Sequence, residues 1–256
     1  MKKILLASVA VIAICNVPAL AADLPVKAPA YKAPPPAALF SWTGCYIGGN
    51  AGGGWGHKAF TDESLTPGFI TIPASSPAAN ISGWLAGGQV GCDYQFATNW
   101  VIGIEGAGSW ANIKGSSDPF FGGKAVFNAQ TKWIADTTVR LGYTQDHWLI
   151  YAKGGAAWAG DKYQVPGSFL GQSFDLQGSE TRSGWILGGG IEWIFSQNWS
   201  ANLEYAYYNF GTHSITLVDS TNVFSDPSSI SQRIQTVTFG INYHFATGKA
   251  PVSAKY

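Results

Sequence analysis

The fold turns on residues 236–245, Thr236-Val237-Thr238-Phe239-Gly240-Ile241-Asn242-Tyr243-His244-Phe245. Read at a period of two, Val237, Phe239, Ile241, Tyr243 and Phe245 share one face of a strand, while Thr236, Thr238, Gly240, Asn242 and His244 share the other. One face is greasy and aromatic; the other is small or polar. The same two-sided text recurs upstream. Trp185, Leu187, Ile191, Trp193 and Phe195 oppose Gly188, Gly190 and Glu192. Trp133, Val139, Leu141 and Tyr143 oppose Lys132, Asp136 and Arg140, and Trp199, Leu203, Tyr205 and Tyr207 oppose Ser200, Asn202 and Glu204.

The alternation breaks in a regular way. Three short breaks, Ala97-Thr98-Asn99, Gln145-Asp146-His147 and Ser196-Gln197-Asn198, are each followed at once by a tryptophan: Trp100, Trp148 and Trp199. This is an internal repeat of about 50 residues per hairpin unit. Longer breaks rich in Gly, Pro and Ser fall near 56–82, 115–129, 162–182 and 211–231. The expected strands are therefore 42–55, 83–96, 100–114, 130–144, 148–161, 183–195, 199–210 and 232–245, eight in all.

Composition narrows the setting. The 256 residues contain 12% charged and 14% aromatic side chains, with 15 Lys+Arg balancing 15 Asp+Glu. A disordered chain has few aromatics and a large net charge. A nucleic-acid binder carries a basic patch, and none stands out here, so no nucleic-acid partner is expected. Alternating faces of this kind close either as a soluble, lipocalin-like barrel with the bulky face inside or as a membrane barrel with that face on lipid. An eight-stranded interior barely accommodates side chains, and this many Trp, Tyr, Leu and Ile would overfill it. Trp100, Trp148 and Trp199 beside the short turns, and Trp55, Trp110 and Trp158 near the long breaks, also fall where aromatic girdles meet two membrane interfaces. The expected fold is an all-β, eight-stranded antiparallel transmembrane barrel over residues 42–245.

The N-terminus gives an address. Lys2 and Lys3 precede an apolar run from Ile4 to Cys15, and Ala19-Leu20-Ala21 reads as a small-x-small cleavage site, which makes residues 1–21 a signal peptide. Ile14 before Cys15 argues against lipidation. Removal of Lys2 and Lys3 leaves 13 basic against 15 acidic residues. Residues 22–41 form a Pro/Ala-rich linker, and residues 246–256 form a tail.

Trp42-Thr43-Gly44-Cys45-Tyr46-Ile47-Gly48-Gly49-Asn50-Ala51-Gly52, Gly87-Gly88-Gln89-Val90-Gly91 and the closing Val237 to Phe245 together resemble the small outer-membrane β-barrel family of alphaproteobacteria, an OmpA-like, porin-family group of surface proteins. The resemblance covers nearly all of the chain. It implies eight strands in the outer membrane among lipid and lipopolysaccharide, both termini in the periplasm and four long loops outside. It also implies that the aromatic last strand, with Tyr243 and Phe245, is read by the barrel-assembly machinery, although Ala246 to Tyr256 follow Phe245 where the family pattern ends in Phe. Some members are tied to peptidoglycan through a periplasmic N-terminus, and Ala22 would be the tether point here. The function so implied is structural, an envelope-integrity protein without enzymatic activity. A narrow porin-like channel, a loop-borne receptor or adhesin (for haem, for example) and an outer-membrane lipid hydrolase are the competing readings.

The inward ions are expected to be Asp93, Glu105, Lys132, Asp136, Arg140, Lys153, Glu192 and Glu204. They line a narrow water path or form a buried salt-bridge network that fills the interior, and the second reading is preferred. Cys45 and Cys92 share the lipid face at one height of the first hairpin, as a cross-strand disulfide or as two free thiols. No metal site or cofactor is expected, since His57, His147, His213 and His244 are scattered and the cysteines lack ligand spacing. Asp146-His147 reads as a turn, and His213-Ser214 lacks a third member for catalysis. Gly52-Gly53-Gly54 and Gly188-Gly189-Gly190 lack the Lys-Ser/Thr of a phosphate loop. Phe60, Phe69, Ile70, Phe120 and Phe121 are the apolar residues of the first two loops.

Overall fold

The computed structural model describes residues 41–62, 78–117, 126–169, 172–219 and 225–245. The expected signal peptide, the linker through residue 40 with Ala22, the tail 246–256, and Phe69, Ile70, Phe120 and Phe121 lie outside the described residues.

Eight strands follow one another: β1 (Gly44–Asp62), β2 (Ala78–Phe96), β3 (Trp100–Ser116), β4 (Asn128–Gln145), β5 (Trp148–Phe169), β6 (Gln172–Ser196), β7 (Trp199–Asp219) and β8 (Ser225–His244). Each pairs antiparallel with its sequence neighbour, and β8 returns to β1 to close a barrel. Closure leaves no unpaired edge, which is the condition for crossing hydrocarbon with strands.

The short turns explain the tryptophan repeat. Ala97 and Asp146 supply a positive φ in the first two turns, at 54° and 53°. The carbonyls of Asn99, His147 and Asn198 then accept from the amides of Thr144 (2.7 Å), Ile194 (2.9 Å) and His244 (2.7 Å). Each turn thus anchors the end of the next hairpin, and the tryptophan after it starts the following strand at the same height.

At the short-turn end the observed and expected strand limits agree closely. At the other end the strands are longer than expected. Two of the expected long breaks, 162–182 and 211–231, are mostly ladder: β5 continues to Phe169 and β6 resumes at Gln172, while β7 continues to Asp219 and β8 resumes at Ser225. The physical reason is that alternation persists there with its sign reversed. Ile81, Ile113, Phe127, Tyr163, Ile230 and Ile234 point inward and are buried in one apolar cluster, while Lys114, Gln130 and Lys162 point outward. Bulges between Trp110 and Ile113, between Thr131 and Trp133, and between Asn209 and Thr212 shift the phase in β3, β4 and β7. Gly211 supplies the positive φ of the last, at 65°.

Between these levels the outer wall is an apolar belt. Ile104, Ile150, Leu187 and Phe239 are each more than half exposed. Trp100, Trp148, Trp193 and Trp199 rim it at the short-turn end, and Trp55, Trp84, Trp110, Trp158 and Trp185 rim it at the far end. Trp148 stacks on Trp193 and Trp199 meets Tyr243 edge-on.

The sorting of bulky side chains to the outside is not complete. Trp42, Tyr46, Phe127, Tyr151, Tyr163, Tyr208 and Phe210 are buried inside. Glycine makes the room. On the inward face of β1, between Tyr46 and Lys58, only Asn50 interrupts Gly48, Gly52, Gly54 and Gly56. A Cβ at Gly48, Gly52 or Gly56 would strike the carbonyl of Ile241, Val237 or Arg233 on β8, so the main chains of β1 and β8 approach closely along the seam.

Candidate functional site

The interior of the belt holds a continuous ionic network. Arg140 on β4 donates through Nε to Asp93 Oδ1 at 2.7 Å and through Nη2 to Asp93 Oδ2, the planar fork matching a carboxylate. Its Nη1 reaches Glu192 at 3.2 Å and lies 3.8 Å from Glu105. The rings of Tyr46 and Tyr151 sandwich the guanidinium at 4.8 and 5.0 Å. Lys153 on β5 reaches Glu105 at 2.8 Å, Glu204 at 2.7 Å and Asp136 at 3.9 Å.

Tyrosines complete the coordination. Tyr46 donates to Glu105 at 2.5 Å, Tyr151 to Glu204 at 2.9 Å and Tyr208 to Asp136 at 3.2 Å. Glu192 accepts from Ser200 at 2.5 Å and Asn242 at 2.9 Å, with His244 Nε2 3.2 Å away. Gln89 extends the net by accepting from Asn50 and donating to Asn242. Five carboxylates thus share two permanent cations and rely on hydroxyl and amide donors for the remainder. Asp136 Oδ1 has no hydrogen-bond partner.

Seven of the eight expected lumen ions meet here. Lys132 does not. The bulge between Thr131 and Trp133 interrupts the parity that put Lys132 beside Asp136 and Arg140, and its side chain is exposed on the outer wall. His244 lies on the polar face of β8, as alternation assigns it, whereas Tyr46, Tyr151 and Tyr208 depart from the expectation that bulky residues stay outside. A finer signal was present in their parity: each falls on the small, polar face of its strand.

Two apolar layers flank this network. Trp42, Val101, Leu149, Tyr151 and Ile194 pack at the short-turn end. The larger cluster with Ile81, Ile113, Phe127 and Ile234 fills the far end. Set into that cluster is a second ionic group, also unforeseen. Lys58 donates to Asp161 at 2.7 Å, Thr131 donates to the same oxygen at 2.5 Å, and Arg182 reaches Glu180 at 3.1 Å and the carbonyl of Ile230 at 2.7 Å. Lys58 lies three residues beyond Trp55 and so outside the apolar belt. Burial pushes its ammonium down to about 8, against the opposing pull of Asp161. A cavity of about 20 Å³ bordered by Asn50, Gln89, Asp136, Lys153, Glu204 and Tyr208 has room for one water molecule.

The remaining candidates are dispersed. Cys45 and Cys92 are direct register partners on the outer wall, with Cα atoms 3.9 Å apart and their sulfurs bonded. Tyr243 and Phe245 face outward, ring centroids 5.3 Å apart. His213 approaches Glu180 at 3.6 Å, whereas Ser214 lies 3.4 Å from Ser229, so the adjacent pair makes no nucleophile–base contact with each other. His57 meets Asn80 at 3.0 Å. Among the described residues no group of three or more His, Cys, Asp or Glu is arranged to hold a metal.

With the barrel, belt and lumen in view, comparison with known proteins is decisive. The family model described as an outer membrane protein beta-barrel domain matches residues 7–245. The chain belongs to that family. This outer-membrane β-barrel is 30% identical over 247 residues to a 31 kDa outer-membrane immunogenic protein of Brucella melitensis, covering 96% of this chain and 100% of that one. It is 27% identical over 223 residues to a 25 kDa outer-membrane immunogenic protein of the same species, covering 86% of this chain and 85% of the relative. Among solved structures, the outer-membrane protease OmpT of Escherichia coli aligns with a TM-score of 0.50 at 10% identity, covering 82% of this chain and 99% of that one. At that identity the likeness shows the fold alone. The protein is an integral outer-membrane barrel.

Proposed function

We propose that this protein is a structural surface component of the outer membrane that contributes to envelope integrity, and that it neither conducts solute nor catalyses a reaction. The observation that carries this reading is the filled lumen: an ion network of two cations and five carboxylates lies between two apolar layers. A water path needs a continuous polar channel, and apolar constrictions oppose wetting. In planar bilayers the mature protein is expected to insert without sustained conductance. Stable single-channel steps would overturn the reading.

In this reading both termini and the short turns are periplasmic, and the longer strand ends project outside. The relatives named as immunogenic fit such presentation at the surface. The outward Tyr243 and Phe245 would meet the assembly machinery, and Ala22 would join peptidoglycan after cleavage of the signal peptide. Lysozyme-digested sacculi should then yield a muropeptide linked to Ala22; recovery of only free Ala22 N-termini counts against the tether.

A receptor or adhesin role is the second reading. It is favoured by the ladder that continues past the far tryptophan rim and presents polar side chains outside the belt. Deletion of residues between β1 and β2 that abolished surface adhesion while leaving envelope resistance to detergent intact would favour it.

A further inference from the structure

The misplaced lysine points to a lipid site. Three cations, Lys114 on β3, Lys132 on β4 and Lys162 on β5, are exposed on the outer wall at the far end of the barrel. In register, Lys114 pairs with Gln130 and Gln130 with Lys162, so two lysines flank one glutamine in a single rank, and Lys132 lies two residues below on the middle strand. The bulge beside Trp133 is what turns Lys132 outward to join them.

Among the described residues these ammonium groups have no anionic partner: none of the ion pairs includes Lys114, Lys132 or Lys162. Lys132 instead has like charges for neighbours, Lys162 on β5 and Lys114 on β3. Asp175, farther along the outer wall, already accepts from Gln164 and Gln177 at 2.9 Å each. Three like charges gathered on one wall raise the local potential and favour an anion.

Height and shape say which anion. Trp158 of the far rim lies four residues below Lys162, about 10 Å along the axis of a tilted strand, and Trp110 lies below Lys114 on β3. That places the ammonium groups at the level of lipid headgroups, just outside the hydrocarbon. A groove of about 740 Å³ crosses these three strands and β6, with Lys114, Gln130, Lys162, Gln164, Gln177 and Ser179 on its border. Its volume suits a sugar-phosphate headgroup.

We infer that Lys114, Lys132 and Lys162 form a docking site for the phosphates of a phosphorylated glycolipid in the outer leaflet. The amide and hydroxyl side chains of the groove hydrogen-bond the sugar, the ammonium groups neutralise its phosphates, and the acyl chains lie along the belt below. The site deepens the proposed envelope role by fixing barrel to lipid, and its placement in the outer leaflet rests on the orientation given above.

The test uses the full mature chain in phosphatidylcholine nanodiscs containing a few mole per cent diphosphorylated lipid A, with bound lipid counted by native mass spectrometry. The variant K114Q/K132Q/K162Q changes only exposed side chains, and retention of heat-modifiable mobility confirms that it is folded. Retention of lipid A is expected to fall on the order of tenfold or more in the triple variant and to be unchanged in Arg233→Gln, an outward cation on β8. Fully dephosphorylated lipid A should bind the wild type as weakly as diphosphorylated lipid A binds the triple variant, and millimolar inorganic phosphate should not displace the glycolipid. Equal retention by the triple variant, or equal binding of the dephosphorylated lipid, overturns the site. Displacement by inorganic phosphate assigns it to a soluble anion and equally overturns it. Nanodiscs expose both leaflets, so this result does not depend on orientation; labelling in intact cells, described below, tests orientation separately.

Discussion

Asp93 and Arg140 clasp each other above Gly103. The three residues occupy one rank across β2, β3 and β4, since Gly103 pairs with Asp93 on one side and with Arg140 on the other. A Cβ at Gly103 would collide with the Asp93 carboxylate, so the clasp exists because the intervening strand carries no side chain at that point. Gly103→Val should displace the Asp93 carboxylate from Arg140 and destabilise the barrel by about 3–5 kcal/mol, the cost of breaking a buried pair. Urea unfolding in lipid, followed by tryptophan fluorescence, measures this. A midpoint equal to wild type would show that the clasp relocates at no cost.

Arg140 itself is expected to be the most sensitive interior position. Arg140→Met keeps the volume but leaves Asp93, Glu192 and Glu105 facing one another with Lys153 as the remaining permanent cation of the network. The predicted loss is again about 3–5 kcal/mol, and Asp93→Leu in the same chain should recover part of it by removing an orphaned carboxylate. The double substitution falling below the single one in unfolding midpoint would contradict this account.

Cys45 and Cys92 close a sequence separation of 47 residues. On the chain-entropy account such a cross-link stabilises by about 4 kcal/mol. Peptide mapping without reductant should recover the two cysteines joined, and reduction should lower the unfolding midpoint without altering the mobility of the folded band. The unreduced protein yielding two free thiols would remove the cross-link from the mature form.

The outward turn of Lys132 can be read chemically. In intact cells Lys132→Cys should react with a membrane-impermeant maleimide, whereas Arg140→Cys, eight residues farther along the same strand but inside the lumen, should stay unreacted. Labelling of Lys132→Cys only after the outer membrane is permeabilised would reverse the proposed orientation.

Much of this arrangement is legible in sequence because lipid and interior impose opposite chemistries on alternate residues. In β8, Phe239 and Ile241 against Thr238 and Asn242 leave no ambiguity, and the asparagine or histidine before Trp100, Trp148 and Trp199 marks each turn that anchors its neighbour. Parity is a local rule, however, and a single extra residue resets it. The bulge before Trp133 sent Lys132 to the opposite wall from the one alternation assigns. Beyond the belt water replaces lipid outside, so the polar face turns outward. Lys58, Asp161 and Arg182 belong to a buried cluster that Gly-, Ser- and Pro-rich text disguises as loop or strand end. Side chains that reach across the lumen, such as Tyr46 to Glu105, join residues far apart in sequence, and no spacing rule relates them.

The bare inner face of β1 bears on how the cylinder is finished. Closing the cylinder brings the last strand against the first, a pairing between the two ends of the chain. From Gly48 to Gly56 the first strand offers little on its inner side except main chain, with Asn50 as the single exception. The seam can therefore run shut like a zip, one peptide group at a time, with Tyr46 and Lys58 as the stops at its two ends.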